Sequence, residues 1–237
     1  MNRRIISHSH TKHRSDSHLL VRKIRTFFHL QYHISKNDFY SATKRAGDIA
    51  GSLFLLLVLS PVFLATMILI YLEDRGSIFF LQTRVGYRGK QFKMYKFRSM
   101  YKDAEARKKQ LEKENETGGV IFKMKNDPRI TKTGKWIRKY SIDELPQILN
   151  VLFGDMTFVG PRPAVPGEVK LYRNSDRVRL EAKPGITCIW QVSGRSNIPF
   201  EKQVLLDRDY IIEQSLLKDM MLLLKTVPAV VMAKGAY

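Results

Sequence analysis

From Ile49 to Leu72 the chain reads IAGSLFLLLVLSPVFLATMILIYL, with no charged residue in the run. As a helix this run is long enough to cross a bilayer's hydrocarbon core. Ser60-Pro61 falls at its midpoint, where proline removes a backbone donor and crowds the preceding turn, so the pattern predicts two helical arms meeting at a break. Lys44 and Arg45 stand before the run, and Arg75, Arg84, Arg88, Lys90, Lys93, Lys96 and Arg98 follow it. The positive-inside tendency asks both flanks to stay cytoplasmic. A re-entrant helix meets that demand and a kinked spanning helix meets the length; the residues alone leave both open.

After the apolar run the periodicity shortens. Ser77-Ile-Phe-Phe-Leu-Gln and Phe92-Lys-Met-Tyr-Lys-Phe read as strands joined through Gly86 and Gly89. Lys102 to Glu116 reads as a charged, solvated surface helix ended by Gly118-Gly119. Leu145, Ile148, Leu149 and Leu152 recur at helical spacing, with Gly154 as the stop. Pro146 fits only the first turn of that helix, which places Asp143 at or beside the N-cap and Glu144 just inside. Pro184-Gly185 opens a turn. Phe200 to Ser215 is helical, with Val204, Leu205, Ile211 and Ile212 on roughly one face. Leu216 to Val231, interrupted by Lys218, Asp219, Lys225 and Pro228, is too short and too charged to span; it packs in the core or lies flat at a membrane interface. The fold class is α/β (α+β): a tail over 1–41, a membrane element over 42–73, and a catalytic domain over 74–237 with short strands and amphipathic interfacial helices.

Composition narrows the chemistry. The chain has 237 residues, 44% of them apolar, enough for a packed core beside the membrane element. A formal charge of +19 calls for a polyanionic partner, whether nucleic acid, anionic lipid or a phosphate-rich substrate. With Cys188 the one cysteine, an intramolecular disulfide and a CxxC metal knuckle are excluded. All six histidines lie at or before His33. The tail that holds them reads as a solvated basic segment near an anionic surface, without the layout of a cleavable signal peptide. The main domain therefore has no histidine base, no Ser-His or Cys-His pair and no histidine-rich zinc site. Carboxylates, Lys, Tyr or an oxygen-loving ion such as Mg²⁺ remain.

Asp143-Glu144 is the densest candidate. An acidic first turn is ordinary helix chemistry, so a lone Asp there would mean nothing. The surroundings change that. A carboxylate held charged at a helix N-terminus is available as nucleophile or metal ligand, and free N–H groups there can receive a phosphate. Arg138 and Lys139 lie just upstream. Lys96-Phe97-Arg98 follows a strand, Asp127-Pro128-Arg129 is a turn with a cation, and Gly160-Pro161-Arg162-Pro163 presents an arginine on a rigid loop. Arg98, Arg129, Arg138 and Arg162 around two carboxylates describe a site for a diphosphate.

These residues resemble a family. Lys44-Arg45-x-x-Asp48, the Ser60-Pro61 break, Lys96-Phe-Arg98-Ser-Met100, Asp127-Pro-Arg129-Ile-Thr131, Ser141-Ile-Asp143-Glu144-Leu-Pro-Gln147, Asn150-Val-Leu-Phe-Gly154-Asp155, Val159-Gly-Pro-Arg162-Pro163, Pro184-Gly-Ile-Thr187 and Gly235-Ala-Tyr237 run in order from about Ser41 to the end. The pattern is similar to the monotopic polyprenyl-phosphate phosphoglycosyl transferases, the bacterial sugar transferases that initiate exopolysaccharide assembly. The resemblance implies transfer of a sugar 1-phosphate from a nucleoside diphosphate sugar, UDP-glucose or UDP-galactose, to undecaprenyl phosphate. It implies Mg²⁺ (or Mn²⁺) as cofactor, Asp143 as covalent nucleophile and Glu144 as its partner on the metal. It also implies a re-entrant helix broken at Ser60-Pro61 on the cytoplasmic face of the cell membrane. Cys188 departs from the pattern, standing where a Gly is expected. Two other readings compete: a nucleic-acid binder, which leaves Ile49 to Leu72 unexplained, and a membrane scaffold or regulatory partner without turnover.

Overall fold

The computed structural model describes residues 38–104, 106–107, 127–194 and 198–231. Residues 1–37 of the tail, most of the expected Lys102 to Glu116 helix with Gly118-Gly119, and the closing Gly235-Ala-Tyr237 lie outside them. The chain divides into two compact units, Met1–Ser41 and Ala42–Tyr237; the fold below is that of the second.

Two helices carry the apolar run. α1 (Asp38–Val58) begins earlier than the run itself, and α2 (Ser60–Asp74) follows after Leu59, at a bend of 61°. The break has a local chemical cause. Pro61 has no N–H to give the Leu57 carbonyl, and the Ser60 hydroxyl donates to that carbonyl instead, at 2.8 Å. No single described helix is long and apolar enough to cross a membrane, although the bent pair is by length and composition. Leu53, Phe54, Leu57, Leu64, Ile68 and Leu72 are exposed along it, an apolar surface that water alone would not favour.

Both arms are fastened to the domain. At the first, Lys44 Nζ donates to the Val159 carbonyl, the Tyr210 hydroxyl and Asp219 Oδ2 at 2.7, 2.7 and 2.6 Å. Arg45 donates to the carbonyls of Val151 and Leu152, and Asp48 accepts from Thr157 Oγ1 and the Phe158 N–H. At the end of the second, Glu73 accepts from the N–H groups of Lys132 and Thr133, and Asp74 lies 3.2 Å from Arg98.

Strands β1 (Phe79–Val85) and β2 (Gln91–Phe97) pair antiparallel, Phe79 opposite Phe97 and Val85 opposite Gln91. Arg88 and Gly89 take positive φ in the connection, 52° and 79°. Helix α3 (Lys132–Lys139) is capped by Thr131, whose Oγ1 accepts from Gly134 N. Gly134 is required there, because a Cβ would collide with the Ser99 carbonyl. Ile137 of α3 meets Ile70 of α2 and Phe97 of β2 in one core.

Helix α4 (Gln147–Phe153) ends at Gly154, φ 91°, as its sequence predicts. Arg45 covers its last carbonyls, as a cation should at a helix C-terminus. Asn150, fully buried, binds the free edge of β2 by accepting from Tyr95 N and donating to the Lys93 carbonyl. Its amide replaces the strand that edge lacks. Strand β3 (Thr157–Val159) pairs parallel with β4 (Gly185–Thr187), and α5 (Pro166–Lys170) lies between them in sequence. A Cβ at Gly185 would strike the Gly160 backbone, so this crossing fixes the loop that follows Gly160. Cys188 is buried with φ −152°, an extended conformation that needs no glycine.

Three short-range expectations change. Helices α6 (Ile189–Ser193), α7 (Phe200–Glu213) and α8 (Leu216–Val231) complete the unit, but the expected apolar face of α7 is split: Val204 and Ile211 are buried while Leu205 and Ile212 are exposed. On α8 one side packs inward as the core reading expects. Asp219 and Leu222 are buried, and Leu217, Met220, Leu224 and Val227 face outward. The first strand starts at Phe79 rather than Ser77.

Replacing Asn150 by Leu keeps the branched shape and strands two backbone groups of β2. Denaturant unfolding in detergent should show a loss of about 3 kcal/mol. Equal stability of Asn150→Leu and the parent would contradict the edge-capping role.

Candidate active site

The Asp143-Glu144 pair sits on a 3₁₀ turn, Ile142–Glu144, and not at a helix N-cap. Pro146 is the N-cap of α4, and the nearby N–H groups are already used: Glu144 to Ser141, Leu145 to Ile142 and Ile148 to Leu145. The expected free N–H groups for a phosphate are therefore absent at these positions. The turn is entered through Ser141 at φ 56°, a left-handed conformation that a serine adopts at some cost. Ile142 and Leu145 anchor it in the core with Ile70, Phe97 and Ile137.

Four cations gather on the other side of the turn. Lys96 Nζ, near the end of β2, donates to Glu144 Oε1 at 2.8 Å. Arg162 Nη1 stands 3.6 Å from the same oxygen, with its side chain about one-third exposed (35%) and so open to a ligand. Arg84 is buried on β1. It donates twice to Gln82 Oε1, at 3.0 and 2.6 Å, and once to the Pro163 carbonyl at 2.9 Å. With Val85 N bonded to the Ala164 carbonyl, it fastens the Arg162 loop to the sheet. Arg138 acts on Asp143 through its charge.

The two carboxylates are driven apart. Burial pushes Asp143 up to about 6; Lys96 opposes this and the Glu144 charge reinforces it. For Glu144, burial also pulls upward, but Lys96 and Arg162 overcome it and hold the group well below the usual range. Burial lowers the Lys96 ammonium against the pull of Glu144. Arg84 falls to about 10, through burial first and then the nearby Arg162. Asp143 is buried, 8% exposed, and accepts no hydrogen bond from any described residue.

Of the residues expected from sequence, Asp143, Glu144, Arg138 and Arg162 come together. Arg98 and Arg129 do not join them. Arg98 faces Asp74, and Arg129 is clamped to Asp127 by Nε and Nη2; both arginines are buried. Sequence reasoning passed over Lys96 as a Glu144 partner and Arg84 with Gln82 entirely. A signal existed for Lys96: it shares a β2 face with Phe92 and Met94, an inward position where a lysine needs a partner. Among the described residues no group of three or more His, Cys, Asp or Glu side chains could hold a metal ion. Two adjacent carboxylates, one bonded by no described residue, would still suit Mg²⁺ in its usual mode, in which substrate phosphates complete the shell.

A perturbed carboxylate pair ringed by cations is a candidate site for an anionic substrate. Residues 39–233 match the family described as bacterial sugar transferase, and the chain belongs to that family. It is 39% identical over 199 residues to the exopolysaccharide production protein ExoY of Sinorhizobium fredii, covering 82% of this chain and 88% of that protein. It is 47% identical over 196 residues to the galactosyl transferase CpsE of Streptococcus agalactiae, covering 81% of this chain and 43% of that protein. The undecaprenyl-phosphate galactose phosphotransferase of Salmonella typhimurium is 41% identical over 203 residues, covering 82% of this chain and 41% of that protein. The chain thus spans most of ExoY and less than half of the two larger proteins.

Since Asp143 is raised, it is protonated below about pH 6 and becomes a carboxylate as pH rises through that value. Carboxyl-carbon NMR should find Asp143 titrating near 6, recognised by its loss in Asp143→Asn, because burial raises Asp207 to about 6 as well. Lys96→Met, by removing the cation that opposes the shift, should move that midpoint upward. A dyad in which both groups titrate as ordinary carboxylates would contradict this electrostatic account.

Proposed function

We propose that this protein transfers a sugar 1-phosphate from a nucleoside diphosphate sugar to a polyprenyl phosphate, through a covalent intermediate on Asp143. The observation that carries this reading is the buried Asp143 carboxylate, bonded by no described residue, beside Glu144, whose charge is held by Lys96 and Arg162. The names of its relatives supply the substrate class: galactose phosphotransfer to undecaprenyl phosphate for the Salmonella protein, and glucose phosphotransfer for that of Komagataeibacter xylinus, 36% identical to this chain. UDP-galactose and UDP-glucose are accordingly the proposed donors, and initiation of an exopolysaccharide repeat the proposed role.

In the first step an Asp143 oxygen attacks the β-phosphorus, the bond to the bridging oxygen breaks, and the nucleoside monophosphate leaves with that electron pair. In the second, a phosphate oxygen of the polyprenyl phosphate attacks the same phosphorus and frees the Asp143 carboxylate. Arg162 meets the diphosphate charge, Lys96 keeps Glu144 ionised, and Arg84 holds the Arg162 loop in place. Asp143 and Glu144 would hold Mg²⁺, whose contribution is to neutralise phosphoryl oxygens as charge shifts toward the leaving group.

The lipid acceptor asks for a membrane surface, and the helix pair fits one as a re-entrant element. α2 has 15 residues and α1 from Lys44 onward is as long, about 22 Å each at 1.5 Å per residue. Bent by 61°, such arms put their apex about 11 Å from the line joining their ends, less than half of a hydrocarbon core about 30 Å thick. A shallow dip into the cytoplasmic leaflet leaves Lys44 and Glu73 at one surface, each bonded to the same domain.

Purified protein given UDP-galactose or UDP-glucose with undecaprenyl phosphate and Mg²⁺ should release UMP from at least one donor. EDTA should stop this and Mg²⁺ or Mn²⁺ restore it. Asp143→Asn should abolish turnover and labelling from a β-phosphate-labelled donor, and Glu144→Gln should lose about a hundredfold or more. Full activity in chelator would remove the metal from the proposal, and labelled Asp143→Asn would move the nucleophile elsewhere.

A further inference from the structure

Helix α3 has a face that neither the core nor the carboxylate pair uses. Ile137 packs inward against Ile70 and Phe97, and Gly134 lies against Ser99. On the opposite side Lys132, Lys135, Trp136, Lys139 and Tyr140 recur at three- and four-residue spacing, all exposed. The helix holds four cations and no acid. Trp136, at 49% exposure, meets Tyr140 edge to face with ring centroids 5.8 Å apart, and Lys139 Nζ sits 5.5 Å from the Tyr140 ring centre. A half-exposed tryptophan with an apolar body and a polar N–H, set among lysines, suits a boundary between apolar and aqueous phases better than open water.

Its position in the fold places that boundary. The first N–H groups of α3 bind Glu73, the penultimate residue of α2, and Ile137 touches Ile70 one turn earlier. Tyr71 and Leu72 are exposed beside them at the end of the lipid-suited helix. The aromatic and basic face is therefore continuous with the place where α2 leaves the proposed membrane element.

We propose that this face of α3 docks on the headgroup layer of an anionic phospholipid leaflet, with Trp136 and Tyr140 at the apolar boundary and Lys132, Lys135 and Lys139 on lipid phosphates. The inference rests on the reading that α1 and α2 are inserted in the leaflet. Lysines near an anionic surface are each attracted to it, and no acid on α3 opposes them. The consequence for function is direct. α3 ends at Lys139, and Tyr140 and Ser141 lead straight into the turn that bears Asp143. Docking this face sets the height of the nucleophile against the phosphate of a lipid acceptor.

The test uses the full chain in nanodiscs of neutral or of mixed anionic phospholipid, read by tryptophan emission. Trp190 is buried, so Trp136 is the emitter that responds to its surroundings, and W136F supplies the background. In anionic discs Trp136 emission should shift to the blue, lose its quenching by acrylamide, and be quenched by a spin label near the headgroup more than by one at the chain end. K132Q/K135Q/K139Q should lose the response to anionic lipid. Trp136 open to acrylamide, in protein that is nonetheless held by the discs, would overturn the docking and leave the inserted helix pair standing. Protein that does not join the discs would take both down. Emission that responds to UMP and ignores the lipid quenchers would assign the face to the nucleotide and overturn the proposal.

Discussion

The chain is organised by the way its apolar helix pair is fastened at both ends to one small domain. At one end Lys44, Arg45 and Asp48, a single turn of α1, reach β3, the close of α4, and the Tyr210 and Asp219 side chains of α7 and α8. At the other, Glu73 and Asp74 hold the start of α3 and Arg98. Partly buried ionic contacts of this kind cost desolvation, and their value lies in geometry: they accept few alternative partners. Because α3 runs into the carboxylate turn and α4 runs out of it, the two clamps bracket the site. The orientation of the helix pair and the position of Asp143 are parts of one arrangement.

The same economy of structure appears in the site. Sheet and helices bury the carboxylate pair, and burial alone would leave both acids neutral. Lys96 and Arg162 act on Glu144 more than on its neighbour, so one acid is held ionised and the other is raised to about 6. An Asp poised near neutrality, ionised yet poorly solvated, has what a nucleophile toward phosphorus needs. Arg84 serves this at one remove. It takes the Pro163 carbonyl and so holds the loop bearing Arg162, although its own charge repels Arg162.

Much of this was written in local chemistry. The Ser60-Pro61 break, the Gly154 stop and the two strands around Gly86 and Gly89 follow from backbone rules that act over a few residues, and they hold. The helical spacing and the basic clusters brought Asp143 and Glu144 forward together, the resemblance gave them roles, and the fold sets them among cations. What sequence could not give was long-range. The N-cap expectation for Asp143 failed because Pro146 takes the cap itself and the preceding residues close a 3₁₀ turn. Arg98 and Arg129 looked like phosphate ligands until their carboxylate partners Asp74 and Asp127 came into view. Asp127, two residues away, was a visible warning; Asp74 was not. Lys96 bonding to Glu144, and Asn150 capping the β2 edge, each join positions dozens of residues apart, and no periodicity encodes such pairs.

The central claim is that both ends of the helix pair lie at the same membrane face, because both are bonded to the same domain. Cysteine labelling in intact cells tests it most directly. With Cys188 replaced, a single cysteine at Ser17 or at Ser175, one on each side of the apolar run, is exposed to an impermeant reagent. The account predicts that neither labels until the cells are lysed. A tail cysteine that labels from outside while Ser175 stays protected would mean that the segment spans, and would contradict the account.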